Sequence, residues 1–298
     1  EHCEMYAIAG RSLEKAERFK EEYGFTKAYG SYRELVEDPE VQAIYIPLPN
    51  DLHFPWVKAA LEAGKHVLCE KPLAMNAAEA EEMFRIAKEH GVHLMEAYAY
   101  LHSPYVESLK KDVDSGIIGT LDYIDTAFVT QGYEEDFRLH KEAGGGAMYD
   151  LGCYCTTMIM TLTGDAPEQV SAVSEMTDQG VDYLTTGIMK FASGARASFT
   201  VGMNLGKNTN SRFDRLYIHG SKGCIRSDVE YNQQGRVSYQ IFTEGGIITR
   251  TVEVPQNYAL EIEQLSRCIE QGEAPHITPE FSVNNAKVID EVLRQIGF

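Results

Sequence analysis

The sequence predicts an α/β chain in two parts: a parallel sheet with helices on both faces, then an α+β domain built on a large, open, mostly antiparallel sheet. Three observations carry this. Up to about residue 95, short apolar runs alternate with charged amphipathic stretches, as when strands buried on both faces alternate with covering helices. After about residue 97 most segments read as strands, several separated by glycine turns as in FASGARA and HGSKGC. Two amphipathic helices close the chain. The expected domains are 1–96 and 97–298.

The elements follow in order. MYAIAG is an apolar run stopped by glycine. RSLEKAERFKEEYG is a charged helix, with Ser12 placed to cap its start and Gly24 its end. A brief strand is expected at 26–28, then helix SYRELVED and strand AIYIP. Helix DLHFPWVKAALEAG leads to strand HVLC, and helix NAAEAEEMFRIAKEHG to strand VHLME. Gly64 and Gly91 stand just past helix ends, where a left-handed residue is needed. In the second part, helix SPYVESLKKDVDSG precedes strand LDYIDTAFV, and GGGAMYDLGCYCTTMIMTLTG reads as glycines opening a helix. Strands are then expected at EQVSAVSEM, VDYLTTGIMKF, ARASFTVGM, RLYIHGS and VSYQIF, with helices covering one face of their sheet. The closing helices are YALEIEQLSRCIEQG and SVNNAKVIDEVLRQIG.

Composition excludes several function classes. With 298 residues, 44% hydrophobic and 24% charged, the chain suits a globular protein with a substantial core. A net charge of −18 repels nucleic acid and anionic membranes. No apolar run is long enough to span a membrane and no secretory leader is visible, so a cytoplasmic protein is expected. The six cysteines match no zinc spacing, and Cys153 and Cys155 stand too close for a C-x-x-C pair. They read as reduced thiols, and no metal site is expected.

A dinucleotide-binding (Rossmann-type) sheet normally opens with a strand, then G-x-G-x-x-G, then a helix whose N-terminus takes the pyrophosphate. No such motif occurs, and Gly144, Gly145 and Gly146 lack its spacing. The first visible strand reads instead as the second of such a fold, and one strand–loop–helix unit of about 30 residues is expected before Glu1. A smaller sheet is the alternative. The strand ends in AGRS, where ribose is recognised. An acid there would select NAD; Arg11 and Ser12 suit the 2′-phosphate of NADP.

Residues 66–75, HVLCEKPLAM, carry a buried-looking strand to its end and put a lysine there. Ligands of open α/β sheets bind beyond the carboxyl ends of strands, so the Lys71 ammonium is placed to reach a substrate oxygen. Pro72 fixes the chain's exit, with a cis peptide before it a possibility. Alternation sends Glu70 to the opposite face. Asp150 and Tyr154, four apart on one helix, share a face. Gly152 between them suggests a close approach by another group. A tyrosine beside a lysine has its phenol pKa lowered by the positive charge and exchanges a proton with substrate. Plainer readings stand beside these: a surface lysine, a core tyrosine, an aspartate facing a helix dipole, a solvated Arg138 and a merely structural His53.

Together, E-K-P and GGGAMYDLGCY resemble the Gfo/Idh/MocA oxidoreductases. The match runs nearly end to end, through AGRSLEKA, YIPLPNDLH and AGKHVLCEKPLAMNAAEAEEM. Tyr154 at the end of D-x-x-x-[HY] is similar to the glucose–fructose oxidoreductase-like and dihydrodiol or D-xylose dehydrogenase-like members. The resemblance implies a nicotinamide cofactor, usually NADP with NAD possible, and a pyranose or cyclic trans-dihydrodiol substrate. It places Lys71 in the active site, with Tyr154 as acid/base and Asp150 orienting Lys71 or the sugar. Glu70, on the face opposite Lys71, is expected to serve the nicotinamide ribose, a salt-bridged or helix-facing glutamate being the plainer reading; the resemblance implies that Pro47, Leu48, Asn50 and His53 line the cofactor with Arg11 and Ser12. Asn50 also stands where it can cap the next helix. Tyr98 and Arg138 are the further substrate candidates; Tyr98 and Tyr100 stack on a sugar or simply pack. Leu101 replaces an arginine of many relatives. A homodimer or higher oligomer through the open sheet is expected. The rival readings are a non-catalytic NADP- or sugar-binding regulator and an inactive truncated homologue.

Overall fold

The structure is a computed structural model and describes residues 3–206, 212–227 and 231–298. In its first part, β1 (Ala7–Ala9), α1 (Leu13–Tyr23), β2 (Lys27–Tyr29), α2 (Tyr32–Glu37), β3 (Ala43–Ile46), α3 (His53–Glu62), β4 (His66–Glu70), α4 (Ala77–His90) and β5 (Leu94–Ala97) alternate as expected. All pairing is parallel, in two ladders, β1–β2 and β3–β4–β5. Val67, Leu68 and Cys69 of β4 are at most 3% exposed, which is why this strand reads as an unbroken apolar run. Val57 and Leu61 of α3 and Ala80 and Met83 of α4 share a core with Val67 and Cys69. Side chains of Ser12, Ser31 and Asn76 accept the backbone N–H groups that open α1, α2 and α4.

The second part contains α5 (Pro104–Asp114), β6 (Leu121–Gln131), α6 (Cys153–Thr163), β7 (Gln169–Met176), β8 (Asp182–Lys190), β9 (Arg196–Leu205), β10 (Phe213–Gly220), β11 (Gly223–Ser227), β12 (Gly235–Thr243), β13 (Gly246–Val254), α7 (Asn257–Gln271) and α8 (Pro279–Ile296). Among the described residues its eight strands form one sheet, in the order β13-β12-β11-β10-β6-β9-β8-β7. Every pair is antiparallel except β6–β9. Two strands were not expected. The start of β11 was read as the tail of a glycine turn. β13 alternates only toward its end, because most of its residues are exposed.

One face of this sheet is buried, with Ile124, Phe199, Val201 and Ile218 fully enclosed in a core shared with α5 and α6. The opposite face carries Tyr123, Val173, Ile188 and Phe213 exposed. α8 divides its apolar residues between the two cores. Val283 and Ala286 pack on the first, while Val288, Ile289, Val292 and Leu293 belong to the second. Two polar contacts reinforce the junction: the Ala77 N–H donates to Asp290 Oδ2 at 2.9 Å, and Lys287 pairs with Glu81 at 2.8 Å.

Candidate active site

The carboxyl end of β4 delivers Lys71 to the junction with the second part, and the Lys71–Pro72 peptide is cis. The Lys71 ammonium donates to the Asp150 backbone oxygen at 2.8 Å and to Asp150 Oδ1 at 3.1 Å. It also lies 4.8 Å from the centre of the Tyr154 ring. The other Asp150 oxygen sits 3.0 Å from Arg138 Nε, and Arg138 donates to Asp136 Oδ1 at 3.0 Å. Tyr133 and Phe137 face the Arg138 guanidinium. The expected Lys71, Asp150, Tyr154 and Arg138 thus meet in one cluster, and the solvated reading of Arg138 is set aside.

Asp150 is 12% exposed at its side chain and Lys71 13%, so their attraction is little screened by water. Burial disfavours the charged Lys71, but Tyr154 and Asp150 outweigh it and the pKa lies above the ordinary lysine value. Burial likewise raises Asp150, while Lys71 and Arg138 together bring it below the usual carboxylate range. The pair is ionised at neutral pH.

Tyr154 departs from expectation. Its ring is surrounded by Tyr98, Tyr100, Phe128 and Tyr231, with centres 5.4 to 6.1 Å away. Burial pushes the phenol up to about 12, and the Lys71 charge offsets this only in part. The lysine pulls in the expected direction, but desolvation wins.

The three glycines before this cluster are fixed by contact. A Cβ on Gly144 would lie 2.5 Å from Met75 Sδ and 2.7 Å from Asn50 Cβ; on Gly145 it would lie 2.4 Å from the Arg138 carbonyl oxygen. On Gly146, at φ +112, it would lie 2.1 Å from Asp182 Oδ1. The chain then makes one π-helical turn, Met148–Gly152, before α6. Asp150 is carried on that wider turn, not on a regular helix. The group close to Gly152 is the Met148 side chain of the same turn.

Other expected residues take different places. His53 is fully buried, with its ring nitrogens 2.9 Å from the Pro72 oxygen and 2.8 Å from the Leu48 oxygen. It braces two loops and leaves no ring nitrogen for a cofactor. Asn50 donates to the Gly144 oxygen at 2.8 Å and does not cap a helix. Tyr98 is fully buried and its hydroxyl accepts from Asn285 at 3.0 Å, so it packs in the core; Tyr100 is equally enclosed. Leu101 is also in the core. Glu70 accepts from the Tyr45 hydroxyl, and its carboxylate makes no bond to the Lys71 ammonium. Pro47 and Arg11 are exposed and Leu48 half-buried, while Ser12 caps α1.

The sequence reading missed Asp136, which secures Arg138, and Glu261 of α7. Glu261 is 1% exposed, and burial with the Glu70 charge lifts its carboxyl to about 8. Its signal was available: Glu261 falls in the same stripe of α7 as Leu265 and Cys268, and a carboxylate there is out of place.

Residues 1–98 match the model of an oxidoreductase family with an NAD-binding Rossmann fold, and residues 106–226 match the GFO/IDH/MocA C-terminal domain. The trans-1,2-dihydrobenzene-1,2-diol dehydrogenase of Oryctolagus cuniculus is 38% identical over 305 residues, spanning 99% of this chain and 91% of that one. This chain belongs to the Gfo/Idh/MocA oxidoreductase family. Another similar Gfo/Idh/MocA relative is D-xylose 1-dehydrogenase (NADP(+)) 2 of Haloferax volcanii, 31% identical over 97% of this chain and 88% of that one. Among solved structures, the 3-ketoreductase KijD10 of Actinomadura kijaniata, in complex with NADP and TDP-benzene, superimposes with a TM-score of 0.90 at 28% identity, covering 98% of this chain and 90% of that one. Aldose-aldose oxidoreductase of Caulobacter crescentus gives 0.88 at 27%, covering 99% and 90%. The residues of this Gfo/Idh/MocA chain fit a nicotinamide cofactor. Exposed Arg11, the half-exposed loop after β3 and the Glu70–Lys71 pair all follow the carboxyl ends of parallel strands, and no acid stands at positions 10–12.

Proposed function

We propose that this chain is an NADP-dependent oxidoreductase that interconverts a hydroxyl and a carbonyl on a pyranose such as D-xylose or on a cyclic trans-dihydrodiol. The observation that carries the reading is Lys71 at the end of β4, pinned by Asp150 and seated over Tyr154. Arg11, Ser12, the loop after β3 and Glu70 would hold the nicotinamide cofactor, whose chemistry when bound would be hydride transfer. Lys71 polarises the substrate oxygen, and Asp150 with Arg138 fixes the ammonium. Tyr154 gives or takes the hydroxyl proton. The two parts divide the work at 96/97, binding cofactor and substrate respectively. The exposed face with Tyr123, Val173, Ile188 and Phe213 is the surface we assign to a homodimer. Six free cysteines accord with a cytoplasmic location.

Calorimetric titration with NADPH and NADH, followed by turnover of D-xylose and of a trans-dihydrodiol, tests the reading. Binding of NADPH over NADH and turnover of either substrate class support it; failure of both cofactors to bind removes it. Arg11→Glu is expected to weaken NADPH by about tenfold to a hundredfold, through loss of a charge-assisted contact, and to leave NADH nearly unchanged. Equal losses for both would detach Arg11 from the 2′-phosphate.

A phenol near 12 is almost wholly protonated at neutral pH. Alcohol oxidation needs the phenolate, so its rate should climb with pH toward that value. Carbonyl reduction uses the phenol and should stay flat across the neutral range. Tyr154→Phe should abolish the climb; an unchanged profile would give the proton to another group.

A further inference from the structure

We infer that Glu96 and Asp182 are positioning residues that together hold Lys71 against Asp150. The inference rests on the reading of those two as part of the reacting centre. Glu96 lies in β5, beside β4, and accepts the Leu73 N–H at 2.8 Å, two residues beyond Lys71. Asp182 opens β8 and accepts the Met148 N–H at 2.8 Å, two residues before Asp150. The Thr185 hydroxyl fixes the same Asp182 oxygen at 2.7 Å. One carboxylate therefore anchors each of the two backbone turns whose side chains meet.

Both groups stand in expensive places. Glu96 is 2% exposed and Asp182 fully buried, and neither pairs with a cation in the way Asp150 does. The side chains of Ser282 and Tyr98 stand beside the Glu96 carboxylate, and the Ala147 N–H beside that of Asp182. Burial lifts the two carboxyls to about 7 and about 6. A buried acid costs more than an exposed one, so its place calls for a reason. The shared feature is position: each carboxylate binds a backbone N–H two residues from one member of the Lys71–Asp150 contact. Gly146 is the corollary, since only a residue without Cβ lets Asp182 reach the turn.

The test reads the ammonium itself, so it needs no substrate. Ammonium protons are seen by nuclear magnetic resonance only while hydrogen-bonded and shielded from exchange. In 15Nζ-lysine-labelled protein, the Lys71 correlation is assigned by its loss in Lys71→Arg. Glu96→Ala and Asp182→Ala should each erase it, while Glu96→Gln and Asp182→Asn, which keep an acceptor oxygen, should retain it. Where alanine costs the fold, Glu96→Asp and Asp182→Ser carry the test; each shortens the reach and should erase the correlation in folded protein. A correlation that persists in folded alanine or shortened variants, or that is missing from the wild type, overturns the inference. With a turned-over substrate in hand, the alanine variants should lose kcat by about tenfold to a hundredfold, as a slight misplacement does, at unchanged KM for the cofactor. Absence of any substrate, with the resonance behaving as expected, would count against the proposed reaction and not against this arrangement.

Discussion

Lys71→Met is expected to lower kcat/KM by about two to four orders of magnitude, the range typical of losing acid–base assistance at the reacting oxygen. The ammonium is the cation that reaches both Asp150 and the Tyr154 ring, so its loss leaves the substrate oxygen unpolarised and the phenol unaligned. Methionine refills the volume of the lysine stem. Asp150 keeps its pairing with Arg138 at 3.0 Å, so the buried charge is not abandoned. The cost in stability should stay near 1–3 kcal/mol, less than when a buried pair loses its sole partner. Steady-state kinetics and a denaturant curve check the two parts. Turnover within tenfold of the parent would remove Lys71 from the chemistry.

Gly146→Ala should be strongly destabilising, at about 2–5 kcal/mol. The backbone there is at φ +112, a region closed to residues with a Cβ, which costs about 1–3 kcal/mol. The methyl also lands 2.1 Å from Asp182 Oδ1, so the carboxylate must withdraw from the Met148 N–H. Loss of that bond adds roughly 1–2 kcal/mol. A urea midpoint that does not move would show that the turn relaxes freely.

The parallel first part was legible because its signals are local. Ser12, Gly24 and Gly91 cap helices as their neighbours in sequence require, and a strand buried on both faces announces itself by an apolar run. β13 was not legible, since its exposed residues carry little alternation and its place depends on β12, a pairing that only the folded chain shows. At the site, Lys71, Asp150, Tyr154 and Arg138 could be named from residue type and motif. The duties of His53, Asn50 and Tyr98 could not. Each depends on what faces it across the fold: Pro72 and Leu48 for His53, Gly144 for Asn50, Asn285 for Tyr98. The Tyr154 phenol failed for the same reason. Its lysine neighbour could be guessed, but the aromatic enclosure that outweighs it comes from three other segments.

The division of α8 between two cores has a thermodynamic consequence. A helix that inserts Val283 and Ala286 into one core and Val292 and Leu293 into the other cannot detach from either without disturbing both. The two parts are therefore energetically coupled, and loss of either should be felt by the other as one cooperative event. It also delays completion during synthesis. The first core waits for a helix translated after every strand of the second part, and until then the side of it that α8 covers stands open to chaperones or to misassociation.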